Sequence, residues 1–311
     1  MDNDERDYEK FSARMALNMA APHTWPASIL PALVGIAIAA NDAPISILMC
    51  IAILVIVILM QSSVNTLNDY FDFVKGTDSE EDFVEADDSV LVYNNVNPHS
   101  ALALAVVFLA VAFLIGVYIV LSVGIAPLII AVIGAVFVVL YSAGKTPISY
   151  LPIGEFVSGI VMGGLIPLGA YTALTGIPNL FVLLLAIPTC IGVGLIMLTN
   201  NTCDIERDIV AGRQTLPVRI GRQNSRAWYR VFVIVWCLAI IACAAVRFQS
   251  GLIIIPFMLL ASYPLIKAAF ANPLTPNRRT QAMPQTLTLN IVLGAFYAAA
   301  IFAQASPAFV L

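Results

Sequence analysis

Charge is scarce in this chain: Asp, Glu, Lys and Arg make up 11% of its 311 residues. Histidine is scarcer still, and His23 and His99 lie too far apart in sequence to form a metal-ligand pattern. Cys50, Cys190, Cys203, Cys237 and Cys243 show no CxxC pairing, and four of them sit within apolar runs. They read as small buried hydrophobes, which argues against a zinc site or a disulfide framework. A net charge of −4 leaves no basic patch for nucleic acid. The first 22 residues carry charged side chains and no apolar core, the opposite of a cleavable leader. What abounds is hydrocarbon. With 60% hydrophobic residues and a mean hydropathy of +0.92, the composition is that of a polytopic membrane protein.

Windows of about 20 residues place apolar spans near Trp25–Ala40, Pro44–Leu67, Ser100–Val123, Ala126–Ser142, Gly154–Leu174, Leu180–Thr199, Trp228–Val246, Leu252–Ala269 and Thr286–Ala303. The expectation is an all-α, polytopic membrane protein of nine transmembrane helices. A polar arm over residues 1–22, amphipathic through Phe11, Met15, Leu17 and Met19, precedes a membrane domain over residues 23–311. With the N-terminus inside, every Lys and Arg except Arg247 falls on the inner side or at the span ends beside it. This asymmetry supports the span count and sets the orientation, with the N-terminus and the long polar loops cytoplasmic and the C-terminus outside.

Chemistry concentrates at two span ends. The first stretch, Asn65 to Asp78, holds Asn65, Asn68, Asp69, Asp72, Lys75 and Asp78. The second holds Asn200, Asn201, Asp204, Arg207 and Asp208, with Arg213 shortly after. Both contain Asn-x-x-x-Asp, at Asn68…Asp72 and at Asn200…Asp204, a weak internal repeat of the kind that places a site between two halves. If both stretches are helical, Asp69 and Asp72 share one face, as do Asp204 and Asp208. Converging carboxylates repel and desolvate badly unless cations join them. Mg²⁺ takes oxygen ligands from one or two carboxylates and shares them with phosphate oxygens, so the pattern points to a metal-diphosphate site. Lys75, Lys145, Arg207 and Arg213 lie in loops from which they could complete the neutralisation. The acids from Glu80 to Asp88 read as a solvated lid.

In these residues the chain resembles the UbiA superfamily of intramembrane aromatic prenyltransferases, from Pro22 to about Gly294. The resemblance implies a nine-helix bundle whose two Asp-rich motifs hold Mg²⁺ and the diphosphate of an isoprenyl donor. Asn68 and Asp72 match the first motif, with Gly76 at its third position, and Asp204 and Asp208 match the second. The finer similarity is to the menaquinone-pathway branch, carried by Asn68–Asp78, by Asn200–Gly221, by Tyr141 and by the run from Pro147 to Glu155. It implies transfer of a polyprenyl group from polyprenyl diphosphate to 1,4-dihydroxy-2-naphthoate.

On that reading Asn68, Asp72, Lys75, Asp204 and Asp208 carry the reaction. Asp69, Asp72, Asp78, Asp204 and Asp208 are the metal ligands, while Asn65, Tyr141, Lys145, Asn200, Asn201, Arg207 and Arg213 hold substrate. The chain departs from the pattern at Cys203, where the branch has Arg, and at Ala21-Pro22-His23-Thr24, where a basic run is expected. The loop after Asp78 is also acidic where a cation is expected. A different acceptor therefore stays open, as does a cation-coupled transporter using the same acids.

Overall fold

The computed structural model describes residues 8–74, 90–306 and the backbone of 309–310. Helices dominate it, as the apolar runs demand, because in hydrocarbon every backbone polar group must be satisfied within the protein. The helices are α1 (Ala13–Ala20), α2 (Pro26–Asp42), α3 (Ile47–Val74), α4 (Val90–Tyr93), α5 (Pro98–Val123), α6 (Ala126–Ser142), α7 (Gly154–Ile160), α8 (Ile166–Thr175), α9 (Phe181–Leu185), α10 (Ile187–Cys203), α11 (Ile205–Val210), α12 (Leu216–Val246), α13 (Ile255–Ala271) and α14 (Arg279–Phe302). Among the described residues there is one strand pair, Ile45–Ser46 beside Phe309–Val310, running parallel.

Among the described residues six helical stretches are long and apolar enough to cross a bilayer, and α1 with α2, bent by 56° at their junction, make a seventh if counted as one span. The apolar helices α6 and α10 are shorter, at 17 residues each. All nine apolar runs read from the sequence are thus helical, while length and composition single out six of them.

Two helices form the centre. α2 is buried on nearly every side, from Val34 through Ala40. α10 packs against α7, α12 and α14. The rim is made by α5, α6 and α13, whose outward Leu121, Ile129 and Leu260 are exposed, as lipid-facing side chains are. Close approach depends on small residues, as in other membrane helix pairs. A Cβ on Gly35 would lie 2.5 Å from the Pro167 carbonyl oxygen, and one on Gly163 would lie 2.4 Å from the Cys190 backbone. Gly163 belongs to a π-helical turn, Val161–Leu165, that joins α7 to α8.

The N-terminal segment is part of the bundle. A Ser12 capping box starts α1, whose Met19 and Ala20 are buried, and Thr66 donates to the Met19 carbonyl at 3.3 Å. α12 is broken near its start at Gly221, where φ of 79° requires glycine. Just beyond the break, Arg222 donates to both carboxylate oxygens of Glu206, at 2.8 and 2.7 Å, and to the carbonyls of Thr202 and Leu274. It thereby ties α11, the end of α10 and the loop after α13 together.

The alternating helix directions bring the ends of α3, α6 and α10 to the same side as the beginnings of α7, α12 and α14. That side carries the polar residues of both motifs.

Candidate active site

The first motif lies on α3, which stays helical through Val74, so Asn65, Asn68, Asp69 and Asp72 share one continuous helix. The second motif does not keep that regularity. α10 ends at Cys203, Asp204 adopts φ −98° and ψ 13°, and Asp208 belongs to the separate helix α11. The expectation of one helix through Asp204 and Asp208 is corrected here. A chain reversal near the site needs the break, and a 2.8 Å bond from the Asp208 amide to the Asp204 carbonyl still fixes their spacing.

Arg213 joins the motifs. Its Nη2 lies 2.6 Å from Asp72 Oδ1, and its Nη1 lies 3.8 Å from Asp208 Oδ1. The guanidinium also sits 4.9 Å from the centre of the Tyr150 ring, a cation–π contact. Thr215 donates to Asp208 Oδ2 at 3.0 Å. Burial pushes the Asp208 carboxyl up to about 6, against the opposing pull of Arg213 and the Thr215 hydroxyl. Arg207, half-buried on α11, is brought down to about 10 by desolvation and by the neighbouring charges of Arg213 and Arg279.

A second cation arrives from α14. Arg279 Nε lies 3.2 Å from Asp204 Oδ1, an ion pair without hydrogen-bond alignment, and its Nη2 donates to Asn200 Oδ1 at 2.9 Å. In the sequence Arg279 counts only toward the inside-positive charge, because nothing local links residue 279 to residue 204. Tyr150, Thr215 and Glu155 escaped notice as site residues for the same reason, although Tyr150 and Glu155 stand in the run that carried the resemblance.

Other expected residues are spoken for. Asn65 donates to the Ala20 carbonyl at 3.0 Å and to Thr24 Oγ1 at 2.8 Å, so it holds the turn between α1 and α2. Asn201 donates to Glu155 Oε1 at 2.8 Å. Ser142, at the end of α6, donates to Asn68 Oδ1. Asp69 is buried on α3, and Lys145 is exposed in the loop after α6. Tyr141 presents a buried hydroxyl within electrostatic reach of Glu155, Arg213, Asp208 and Asp72. Lys75, Asp78 and the acids from Glu80 to Asp88 lie outside the described residues.

Among the described residues no three acidic, histidine or cysteine side chains form a metal cage of their own. The donors present still suit Mg²⁺. Asp72, Asp204 and Asp208 offer hard oxygen donors within 4 Å of two arginines, and Mg²⁺ is usually held by one or two such carboxylates together with phosphate oxygens.

From the region of the first motif an apolar cavity of about 150 Å³ extends into the bundle. It runs along α3 from Val64 to Ile53, roughly 17 Å at the helical rise, and is walled opposite by Ile119, Ala131 and Gly169.

Comparison with known proteins decides the identity. The UbiA prenyltransferase family matches residues 28–294. The chain belongs to the UbiA prenyltransferase family. Membership makes it a prenyltransferase and removes the transporter reading of the same acids. A 1,4-dihydroxy-2-naphthoate octaprenyltransferase of Bacillus subtilis is 34% identical over 67% of this chain and 66% of its own length. A protein of the same description from Haemophilus influenzae is 28% identical over 84% of this chain and 87% of its own. UbiA prenyltransferase domain-containing protein 1 of Danio rerio is 25% identical over 92% of this chain and 86% of its own. Among solved structures, a UbiA homologue from Archaeoglobus fulgidus bound to DMAPP and Mg²⁺ superposes with a TM-score of 0.66. That pair shares 16% identity over 93% of this chain and 98% of the other, a likeness of fold.

Proposed function

We propose that this UbiA enzyme transfers a polyprenyl group from polyprenyl diphosphate to 1,4-dihydroxy-2-naphthoate, with Mg²⁺, on the menaquinone pathway. The observation that carries the reading is Arg213, which gathers Asp72 of the first motif and Asp208 of the second around one guanidinium. The similarity to the Bacillus and Haemophilus enzymes supports the acceptor.

On this reading Asp72, Asp204 and Asp208 hold the metal, with Asp69 or Asp78 assisting. Bound Mg²⁺ supplies positive charge that stabilises the departing diphosphate. Arg213 and Arg279 are placed to exchange carboxylate partners for phosphate oxygens as the donor binds, with Arg207 beside them. Asn68, with its amide held by Ser142, orients the donor end of the site. The polyprenyl tail lies along the apolar cavity beside α3, where each buried CH₂ contributes roughly 0.8 kcal/mol. The dry cavity also keeps water from the allylic carbon as its bond to oxygen weakens.

We read the chain as crossing the cell membrane nine times, with the N-terminal arm of residues 1–22 and the site loops cytoplasmic and the C-terminus outside. The two 17-residue helices α6 and α10 are near the lower limit for a crossing.

The test is a membrane assay with 1,4-dihydroxy-2-naphthoate and radiolabelled polyprenyl diphosphate, with Mg²⁺ and with a chelator. A chelator-sensitive demethylmenaquinone supports the reading. Donor consumption without that product favours another aromatic or lipid acceptor, an alternative to which Cys203 and the acidic loop lend weight.

A further inference from the structure

Glu155 stands apart from the acids of the two motifs. It opens α7 at the polar end of the bundle and is 4% exposed. Its Oε1 accepts from Asn201, while its buried Oε2 has no well-aligned hydrogen-bond partner among the described residues, the backbone amides of Glu155 and Leu216 approaching the carboxylate only loosely. The Tyr141 hydroxyl, from α6, is likewise buried, with no hydrogen-bond partner among the described residues, and is in electrostatic reach of Glu155. A Cβ on Gly154 would meet the Ile148 carbonyl oxygen at 3.3 Å and Tyr141 Oη at 3.6 Å, which sets the Tyr141 hydroxyl beside the start of α7. Among the described residues no Lys or Arg forms an ion pair with Glu155, whereas Arg213 takes Asp72 and Asp208, and Arg279 takes Asp204.

A buried carboxylate oxygen left without a partner costs free energy, and so does a buried hydroxyl. Both groups are satisfied at once by a ligand that carries an acidic O–H and an oxygen acceptor. A carboxylate reserved from metal and arginine, and fixed by one amide, is suited to take a proton from such a ligand.

We propose that Glu155 binds the hydroxyl of the aromatic acceptor and takes and returns its proton during transfer. The inference rests on the reading of the acceptor as a hydroxyaryl carboxylate. As the allylic C–O bond breaks, its electron pair leaves with the diphosphate. The acceptor O–H proton passes to Glu155 Oε2, and the electron pair released into the ring forms the new C–C bond at the carbon bearing the carboxylate. The C–CO₂⁻ bond then breaks, its pair restores the aromatic ring, and Glu155 returns the proton to the ring oxygen. Carbon dioxide and diphosphate depart, and Glu155 ends as it began.

The decisive comparison is Glu155→Gln against wild type, full-length in nanodiscs, with 1,4-dihydroxy-2-naphthoate and a radiolabelled polyprenyl diphosphate. Gln retains an oxygen for Asn201, so the fold is preserved, and it cannot take a proton. The expected result is a fall in kcat of about 100-fold or more. The kcat–pH profile should lose the contribution of Glu155 and keep the acid limb that Asp208 carries, with Tyr141 and Arg213 the other neighbouring groups that titrate or carry charge. Thermal stabilisation by Mg²⁺ with a non-ionisable thiodiphosphate donor analogue should match wild type, and Glu155→Asp should recover part of the rate.

Turnover of Glu155→Gln within about threefold of wild type overturns the inference. So does loss of the analogue-induced stabilisation, which marks Glu155 as a structural post for Asn201. If wild type itself forms no product from this acceptor while consuming donor, the acceptor reading falls and takes this inference with it.

Discussion

Arg213 and Asp72 meet at 2.6 Å although they come from opposite halves of the chain. The contact closes the first motif onto the second, since the same guanidinium approaches Asp208. Arg213→Ala would leave the buried Asp208 carboxylate and the partly buried Asp72 carboxylate without their shared cation. The expected cost is about 2 kcal/mol in metal-free protein. Thermal unfolding in detergent with a chelator measures it, and Mg²⁺ should restore part of the loss by replacing the missing charge.

Removing a carboxylate should act on turnover more than on folding. Asp72→Ala and Asp204→Ala each remove a proposed metal ligand and take a carboxylate partner from Arg213 or Arg279. Each should lower Mg²⁺-dependent transfer at least about 100-fold, the scale of several kcal/mol expected of metal-borne charge stabilisation. Near-normal turnover in both variants would refute the site.

The apolar cavity sets a length test. Gly134 lies on its wall, and an added Cβ there meets only the far end of Met60, at 3.9 Å. Gly134→Leu should fill part of the space without disturbing the backbone. The kcat/KM for long polyprenyl donors should fall about tenfold while dimethylallyl diphosphate is used as before. Equal losses for both donors would place the tail elsewhere.

Helix contact at the π-turn gives a stability contrast. Gly163→Ala puts a methyl 2.4 Å from the Cys190 backbone, which cannot move as a side chain would. Overpacking of this kind costs about 2 kcal/mol. Gly116→Ala, on the rim helix α5 with no described atom within 4 Å of the new methyl, should hold or slightly raise the unfolding temperature, since Ala favours the helix over Gly. A comparison of the two unfolding temperatures checks both.

Hydrophobicity is a local property, so the sequence alone determined that the chain is a helical membrane protein and where its apolar helices lie. It also determined which span ends hold Asn68, Asp72, Asp204 and Asp208, because polar residues at the end of an apolar run stand out without reference to any partner. Only the tertiary structure decided what each polar side chain does. Asn65 and Asn201 look like ligands in the motif yet are committed to the Ala20–Thr24 turn and to Glu155. Arg279 looks like a topology anchor yet reaches Asp204. Asp204 and Asp208 look continuous yet straddle a helix break. These facts depend on how α3 packs against α1 and α2 and how α10 packs against α7 and α14, and contacts between distant segments leave no periodic trace along the chain.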